Sequence, residues 1–263
     1  MELFEIIKHI ENIAPLSIAA PWDNSGMQVA SVNDDISHIA VMLDPTPEKV
    51  TQALAAGADM VVSHHPLLMK AKMPNMLDEY HAVLRQLFSR DIPLYSAHTS
   101  LDANLHGPAA WFADAFGLAS RHALENVAEH TEGEPHYGFG IAGVLPRPLS
   151  YAEFTDKLAK VLGKGTWRAS GPMPETVSRM AYCPGSGESM IRDAQNLGAD
   201  IYITGDVKYH AALEAPIRVL DVGHFILEET MMRVFADLLR RNAAPVTVTF
   251  FEASDPFTFE GTA

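Results

Sequence analysis

Asp59-Met-Val-Val-Ser-His64-His65-Pro66 is the stretch whose reading decides the fold of this chain. Met60, Val61 and Val62 form a short apolar, β-branched run, the pattern of a strand buried on both faces, and Pro66 cannot continue a sheet ladder. The strand therefore carries two imidazoles to its carboxyl end, the edge at which open α/β sheets bind ligands. Successive side chains of an extended chain point to opposite sides, so without a bend one metal ion can hardly take both imidazoles, whereas two adjacent ions can. Taken alone, the pair also reads as surface or capping histidines.

Two further stretches have the same character. His98-Thr-Ser-Leu-Asp102 leaves the apolar run Ile92 to Ala97, bringing another imidazole and a carboxylate to another strand end. Ile217-Arg-Val-Leu-Asp-Val-Gly223 is followed by His224-Phe-Ile-Leu-Glu228. A helix beginning at His224 sets His224 and Glu228 one turn apart on one face.

The halves of the chain repeat one another. Gly57-Ala-Asp59, three apolar residues and Ser63 recur as Gly198-Ala-Asp200, three largely apolar residues and Thr204, and each copy leads through a helix to a strand ending at His98 or His224. This is the pattern of a duplicated βαβ-type unit, or a chance likeness between common α/β sequences. Duplication predicts an α/β fold of two similar lobes. Residues 1–125 would hold His64, His65 and Asp102, and residues 126–263 would hold His224 and Glu228, with the metal site in the cleft between them. The C-terminal helix and strand are candidates to pack back on the first lobe.

Periodicity and turn residues predict helices over 2–12, 45–56, 78–90, 107–116 and 150–162, and one ending near 197. Ser150 and Glu153 stand in capping-box relation. Further strands are expected over 39–43, 137–145 and 177–183. Residues 20–26 read as a loop, 70–78 as an excursion, and 121–136, with His122, His130 and His136 among acidic residues, as an exposed connection. Pro184-Gly-Ser-Gly-Glu-Ser189 reads as a plain turn or as an anion cradle.

At 263 residues, 48% apolar and 20% charged, the composition is that of a soluble globular protein. No apolar run is long enough for a membrane span, and Met1 to Lys8 resembles an amphipathic helix more than a signal peptide. The lone Cys183 excludes an internal disulfide, agrees with a reducing compartment and reads as a small apolar residue at a strand end. A cytoplasmic location is the expectation. The formal charge of −14 would still be about −10 with two divalent cations bound, which argues against nucleic acid as a partner. A small anionic substrate stays open, because bound metals invert the local field.

Ser63-His-His-Pro66, His98-Thr-Ser-Leu-Asp102, Thr204-Gly-Asp-Val-Lys-Tyr-His210 and Asp221-Val-Gly-His224 with Glu228, in this order over nearly the whole chain, resemble the motif set of the Nif-three-like family. That family is often labelled GTP cyclohydrolase type 2 homologues, and the chain is similar to its compact form, without a large inserted domain. The resemblance implies two α/β lobes, a dinuclear metal centre and a toroidal homohexamer. It carries over His64, His65, Asp102, His224 and Glu228 as metal ligands, and sets the helix after Asp206 and the segment Trp22-Asp-Asn24 at the border of the same cavity. The chain departs at Ser100, where Asn is common, and at Phe225-Ile-Leu227, where small or aromatic residues are common; both changes spare the ligands but alter their neighbours.

Imidazole and carboxylate donors suit two divalent ions of zinc, iron, manganese or nickel, and the absence of thiolates argues against a closed structural zinc site. Five side chains cannot saturate two ions unless a carboxylate bridges; Asp102 is the first choice for that bridge, with Glu228 competing. Water or hydroxide would fill the remaining positions and become a nucleophile near neutral pH. His98 and His210 are candidates for proton transfer. His98 reads equally as an orienting group behind a ligand, and His210, Lys208 and Tyr209 equally as helix-surface residues. Trp22 is either a lid or a loop anchor; the other histidines read as structural or solvated, and the methionines as packing residues. Two functions remain open: a metal-dependent hydrolase attacking a small nucleotide-like or heterocyclic substrate with a metal-bridging hydroxide, or a non-catalytic metal-binding, metal-handling or scaffold module. The family label suggests opening of a GTP ring, but no guanine-reading pocket is legible in the sequence.

Overall fold

The computed structural model of the chain describes residues 1–127 and 137–258. Its first half runs α1 (Leu3–Ile13), β1 (Gly26–Val29), β2 (His38–Met42), α2 (Pro47–Ala55), β3 (Met60–Ser63), α3 (Glu79–Phe88), β4 (Leu94–Ser96), α4 (Thr99–Asp102), α5 (Trp111–Phe116) and β5 (Ala119–Asn126). The second runs β6 (Gly138–Ser150), α6 (Tyr151–Leu162), β7 (Arg168–Ser170), β8 (Thr176–Ser186), α7 (Ile191–Asn196), β9 (Ile201–Gly205), α8 (Tyr209–Leu213), β10 (Arg218–Asp221), α9 (His224–Asn242) and β11 (Thr247–Phe250).

The strands form two sheets, ordered β1-β4-β3-β2-β11 and β5-β6-β8-β9-β10-β7. Within them one unit occurs twice. β2, β3 and β4 are parallel, with β1 antiparallel on the β4 side; β8, β9 and β10 are parallel, with β7 antiparallel on the β10 side. The flanking strands are exchanged, since the C-terminal β11 adds in parallel to β2 and the antiparallel pair β5 and β6 adds to β8.

The repeated Gly-Ala-Asp has the same physical role in both lobes. Gly57 and Gly198 take positive φ, +83° and +74°, where a side chain would be strained, and so stop α2 and α7. The Asp59 carboxylate then accepts the amides of Ser37 and His38 at the start of β2, and that of Asp200 accepts the amides of Ser178 and Arg179 in β8. The next strand in each lobe is buried on both faces. Met60 and Val62 enter one cluster and Val61 another; Ile201 and Ile203 enter one and Tyr202 another.

Helix α9 joins the lobes. Its Leu227 shares a core cluster with Phe112 of α5 and with Phe154 and Ile203 of the second half, while Met231, Phe235 and Leu239 share one with Ile6, Ile10 and Val41 of the first. Trp111 lies between the two clusters and donates its indole N–H to the Leu227 carbonyl at 3.0 Å. The first turn of α9 is thereby held over the facing strand ends.

One expected loop is a strand. Residues Ala119–Asn126 form β5, and only Ala123 and Leu124 of it are buried, so an edge strand with exposed His122 and Glu125 shows no apolar period. Residues 128–136, with His130 and His136, lie outside the described residues. The short edge strands β1 and β7 are also absent from the sequence reading, because three or four residues cannot display a period.

Candidate metal centre

At the end of β3 the chain bends. The amides of His64 and His65 both reach the Leu43 carbonyl, and the Ser96 hydroxyl donates to the His64 carbonyl at 2.6 Å. The bend turns two neighbouring side chains to one side, with ring centroids 5.0 Å apart. From β4 and α4 come His98, 5.1 Å from the His64 ring, and Asp102, whose Oδ1 lies 3.8 Å from His64 Nε2. From α9 come His224 and Glu228, four residues apart as a helix start at His224 requires, with Nε2 and Oε2 separated by 2.8 Å. Gly223 takes φ +87° at the turn before His224, and Gly205 lets the turn close: a Cβ at Gly205 would stand 2.5 Å from the His224 amide nitrogen.

All four imidazoles are held from behind. Each Nδ1 donates to an acceptor: His64 to the Ala97 carbonyl at 2.8 Å, His65 to Asp44 at 2.7 Å, His98 to Asp23 at 2.6 Å and His224 to Asp206 at 2.8 Å. Fixing the proton on Nδ1 leaves Nε2 with its lone pair, oriented, as a ligand. Asp23 is itself fixed by the Ser25 hydroxyl and by the amide of Thr99. Glu228 stands among these nitrogens, Oε1 lying 3.6 Å from His64 Nε2 and Oε2 lying 3.1 Å from His65 Nε2. The carboxylate set between the imidazoles of His64, His65 and His224 is therefore Glu228, whereas Asp102 comes within 4 Å of His64.

The residues fit divalent cations. His64 Nε2, Asp102 Oδ1, His224 Nε2 and Glu228 Oε2 are buried without a hydrogen-bond partner, a costly state unless another group satisfies them. Two sets of donors lie within 4.8 Å of one another, His64 with His65 and His98, and His65 with His224 and Glu228. Burial opposes charge on His65, but Asp44 and Glu228 outweigh it and push the imidazole up to about 10. Burial likewise opposes charge on His224, and Glu228 with Asp206 raises it to about 9. Burial would raise Glu228, yet the surrounding imidazoles hold it well below the carboxylate range; at Asp102 burial prevails and the pKa is raised. The carboxylates thus collect positive charge where cations would sit.

His210 is not brought to this centre; it is an exposed residue of α8 beside Tyr209, because α8 packs its short length outside the cleft. Lys208 is spent on an ion pair with Glu188. Trp22 is 66% exposed and meets His98 edge-on at 6.3 Å, so it does not anchor its loop in the core and stands against one imidazole of the cluster. The expected turn or anion cradle at Pro184 to Ser189 is instead the end of β8, which runs to Ser186, and the residues after it, packed closely: Gly185, at φ +63°, passes so near that a Cβ would overlap the Glu228 carboxylate, and a Cβ at Gly187 would strike Tyr202 and Thr204. Cys183 is buried and gives its thiol hydrogen to the Pro184 carbonyl. Asp44, which orients His65, is not among the expected site residues, although Met42-Leu43-Asp44 places a carboxylate at the carboxyl end of β2 as surely as Ser63 to His65 places imidazoles at that of β3.

A cavity of about 590 Å³ opens from His65 and His224 toward Lys164, Trp167, Phe225 and Phe257, and one of about 410 Å³ opens from His65 and Asp44 toward Lys72 and Tyr80. Among the described residues no helix is long and apolar enough to cross a membrane.

Residues 1–256 match the family described as Duf34/NIF3 (NGG1p interacting factor 3). A Clostridium perfringens protein named GTP cyclohydrolase 1 type 2 homolog is 31% identical over 267 residues, covering 98% of this chain and all of that one. Among solved structures, a Bacillus cereus protein related to NIF3 superposes with TM-score 0.86 at 21% identity, covering 99% of both chains. Reduced HcgD from Methanocaldococcus jannaschii does so with TM-score 0.82 at 27% identity, covering 95% of this chain and 97% of the other.

Proposed function

The chain belongs to the Duf34/NIF3 family, and from that premise we propose that it holds two divalent cations between its lobes and hydrolyses a small nucleotide-like or heterocyclic compound. One observation carries the reading: imidazoles locked at Nδ1 converge on buried carboxylate oxygens that have no other partner. His64 and Asp102 would serve one cation, His65 and His224 the other, and Glu228 both. When bound, paired divalent cations supply a water of lowered pKa and polarise a substrate oxygen.

The chain's own groups supply the rest. His98, oriented by Asp23 and close to the His64 ring, would take and return a proton at Nε2. The bend at His64 and His65 and the packing of α9 fix the donors before any cation arrives, so little ordering remains to be done on binding. Assembly as a toroidal homohexamer in the cytoplasm belongs to the same proposal.

The test is metal analysis followed by turnover. Protein reconstituted with Mn, Fe or Zn should retain about two ions per chain and hydrolyse a member of a nucleotide and phosphoester panel. Asp102→Ala should lower the metal content and abolish turnover, whereas His98→Gln should abolish turnover with both ions retained; an ion lost with His98 would make that residue a ligand instead. Metal that cannot be loaded at all overturns the reading, and full loading without turnover, together with exchange of metal to a partner protein, turns it toward metal handling.

A further inference from the structure

We infer that the cavity of about 590 Å³ beside His65 and His224 binds a planar heteroaromatic ring carrying a single anionic group, with the ring against Trp167, Phe225 and Phe257 and the anion on Lys164. The inference rests on the metal-centre reading above and adds to it the substrate's chemical class.

The apolar side comes first. Trp167 and Phe225 are half-buried, each packed by one edge on a lobe's core, and present what remains to the cavity. Phe257 is 77% exposed although it lines the same space. Its segment is held to α9 at Ala253, whose amide Glu229 accepts at 2.8 Å, and turns locally where Asp255 accepts the Phe257 amide at 2.9 Å. A ring held over a cavity, with most of its surface in water, gains contact when a second flat ring fills the space.

Charge accounting fixes the other end. Each acid in the lining already accepts a hydrogen bond, Asp44 from His65, Asp206 from His224, Asp221 from Arg168 and Asp255 from the Phe257 amide. Arg168 is spent on Asp221 and on the Val207 carbonyl. Among the described residues, Lys164 is the lining cation without an ion pair, and its Nζ lies 3.6 Å from where a Cβ on Gly223 would stand, immediately before His224. One free ammonium among four carboxylates accommodates one anionic group, a monophosphate or a carboxylate, and disfavours the accumulated charge of a triphosphate. The cavity size suits a ligand of a few ring systems.

Zinc-loaded protein titrated with GMP, GTP, guanosine and inorganic phosphate tests this. GMP should bind at least as tightly as GTP and about tenfold more tightly than guanosine or phosphate, as one charge-assisted contact permits. Binding should quench tryptophan emission, and the quench should vanish in Trp167→Phe. Lys164→Met should bring GMP to the affinity of guanosine, and Phe257→Ala should weaken GMP and guanosine alike, while both variants keep the parent's metal content. Absence of GMP binding, GMP binding unchanged in both variants, or GTP binding more than tenfold tighter than GMP overturns the inference. Bound GMP that responds to the variants but is never converted upholds it while sinking the hydrolase reading, and zinc content near zero in the parent identifies failure of the metal centre itself.

Discussion

After β3 the first lobe places His64 and His65, whereas the equivalent residues of the second lobe are Gly205, the last of β9, and Asp206 after it. The two strands share register, burial and the capping aspartate before them, so the difference lies in the two residues at their carboxyl ends. In the first lobe the imidazoles stand directly on the strand end. In the second, Gly205 removes a side chain so that the start of α9 can come down onto the strand, and the ligands ride in on His224 and Glu228. Asp206, in the place of His65, does not join the cluster of donors but holds His224 from behind. A duplicated unit has thus become two complementary halves, one giving donors from a strand end and the other from a helix start.

The sharpest way to break that division is Gly205→Ala. The added methyl would meet backbone atoms, the His224 nitrogen at 2.5 Å and the Gly223 carbonyl carbon at 2.7 Å, and backbone of an anchored helix cannot swing aside as a side chain can. A loss of about 2–4 kcal/mol in urea unfolding is expected, with reduced metal content because His224 and Glu228 move together. A variant of parental stability would show that α9 is free to retreat and that the close approach is incidental.

Next in size is the pair Asp44→Asn and Asp206→Asn. Each orients one imidazole, His65 in the first lobe and His224 in the second, through bonds of 2.7 and 2.8 Å. Loss of either acid should weaken the cation between them by about 10- to 100-fold, with fold and secondary structure intact. Competition with a chelator measures both. Equal losses would mean that strand-end and helix-start donors are equally dependent on their supports; a much larger loss for Asp206 would mean that the exposed helix start relies on its support more.

How much of this is legible in the sequence differs between the halves of the comparison. His64, His65, Asp102, His224 and Glu228 are legible because each stands at the carboxyl end of an apolar run or one helical turn beyond it, a signal that survives without coordinates. The Gly-Ala-Asp repeat is legible because a helix stop and a strand cap need specific residues. Asp23 and Asp44 are not, since an acid in a loop acquires its meaning only when the loop folds against an imidazole. Nor is the central place of Glu228 over Asp102, which depends on how α9 packs between two cores. His210 is a site candidate by its motif, but the five-residue helix that carries it faces outward.

A smaller effect tests the sameness of the lobes. Asp59 accepts the Ser37 and His38 amides and the Ser37 hydroxyl, whereas Asp200 accepts the Ser178 and Arg179 amides alone. Substitution by alanine should cost about 1–2 kcal/mol at each site, more at Asp59 because it satisfies one donor more. Losses measured by chemical unfolding that differ in the opposite order would mean that the repeated tripeptide is retained by descent but no longer equivalent in energy.

The smallest effect concerns the helices that open each unit. α6 has a full capping box, with Glu153 Oε2 accepting the Ser150 amide at 2.9 Å and the Glu153 amide given to the Ser150 hydroxyl at 3.3 Å; α1 starts at Glu2 with no side-chain cap. The bonds from Ser150, with the Arg147 guanidinium beside them, hold the Glu153 carboxyl down to about 2 from an ordinary 4.5. A depressed carboxylate stabilises the folded chain above the unfolded value and ceases to do so as pH falls through the folded one. The stability difference between the parent and Glu153→Ala should therefore be full above pH 4.5 and lose its charge-dependent part on descent toward pH 2. A Glu153→Ala difference that stays constant from neutral pH to pH 2 would assign the effect to helix propensity and packing, leaving the two opening helices electrostatically alike.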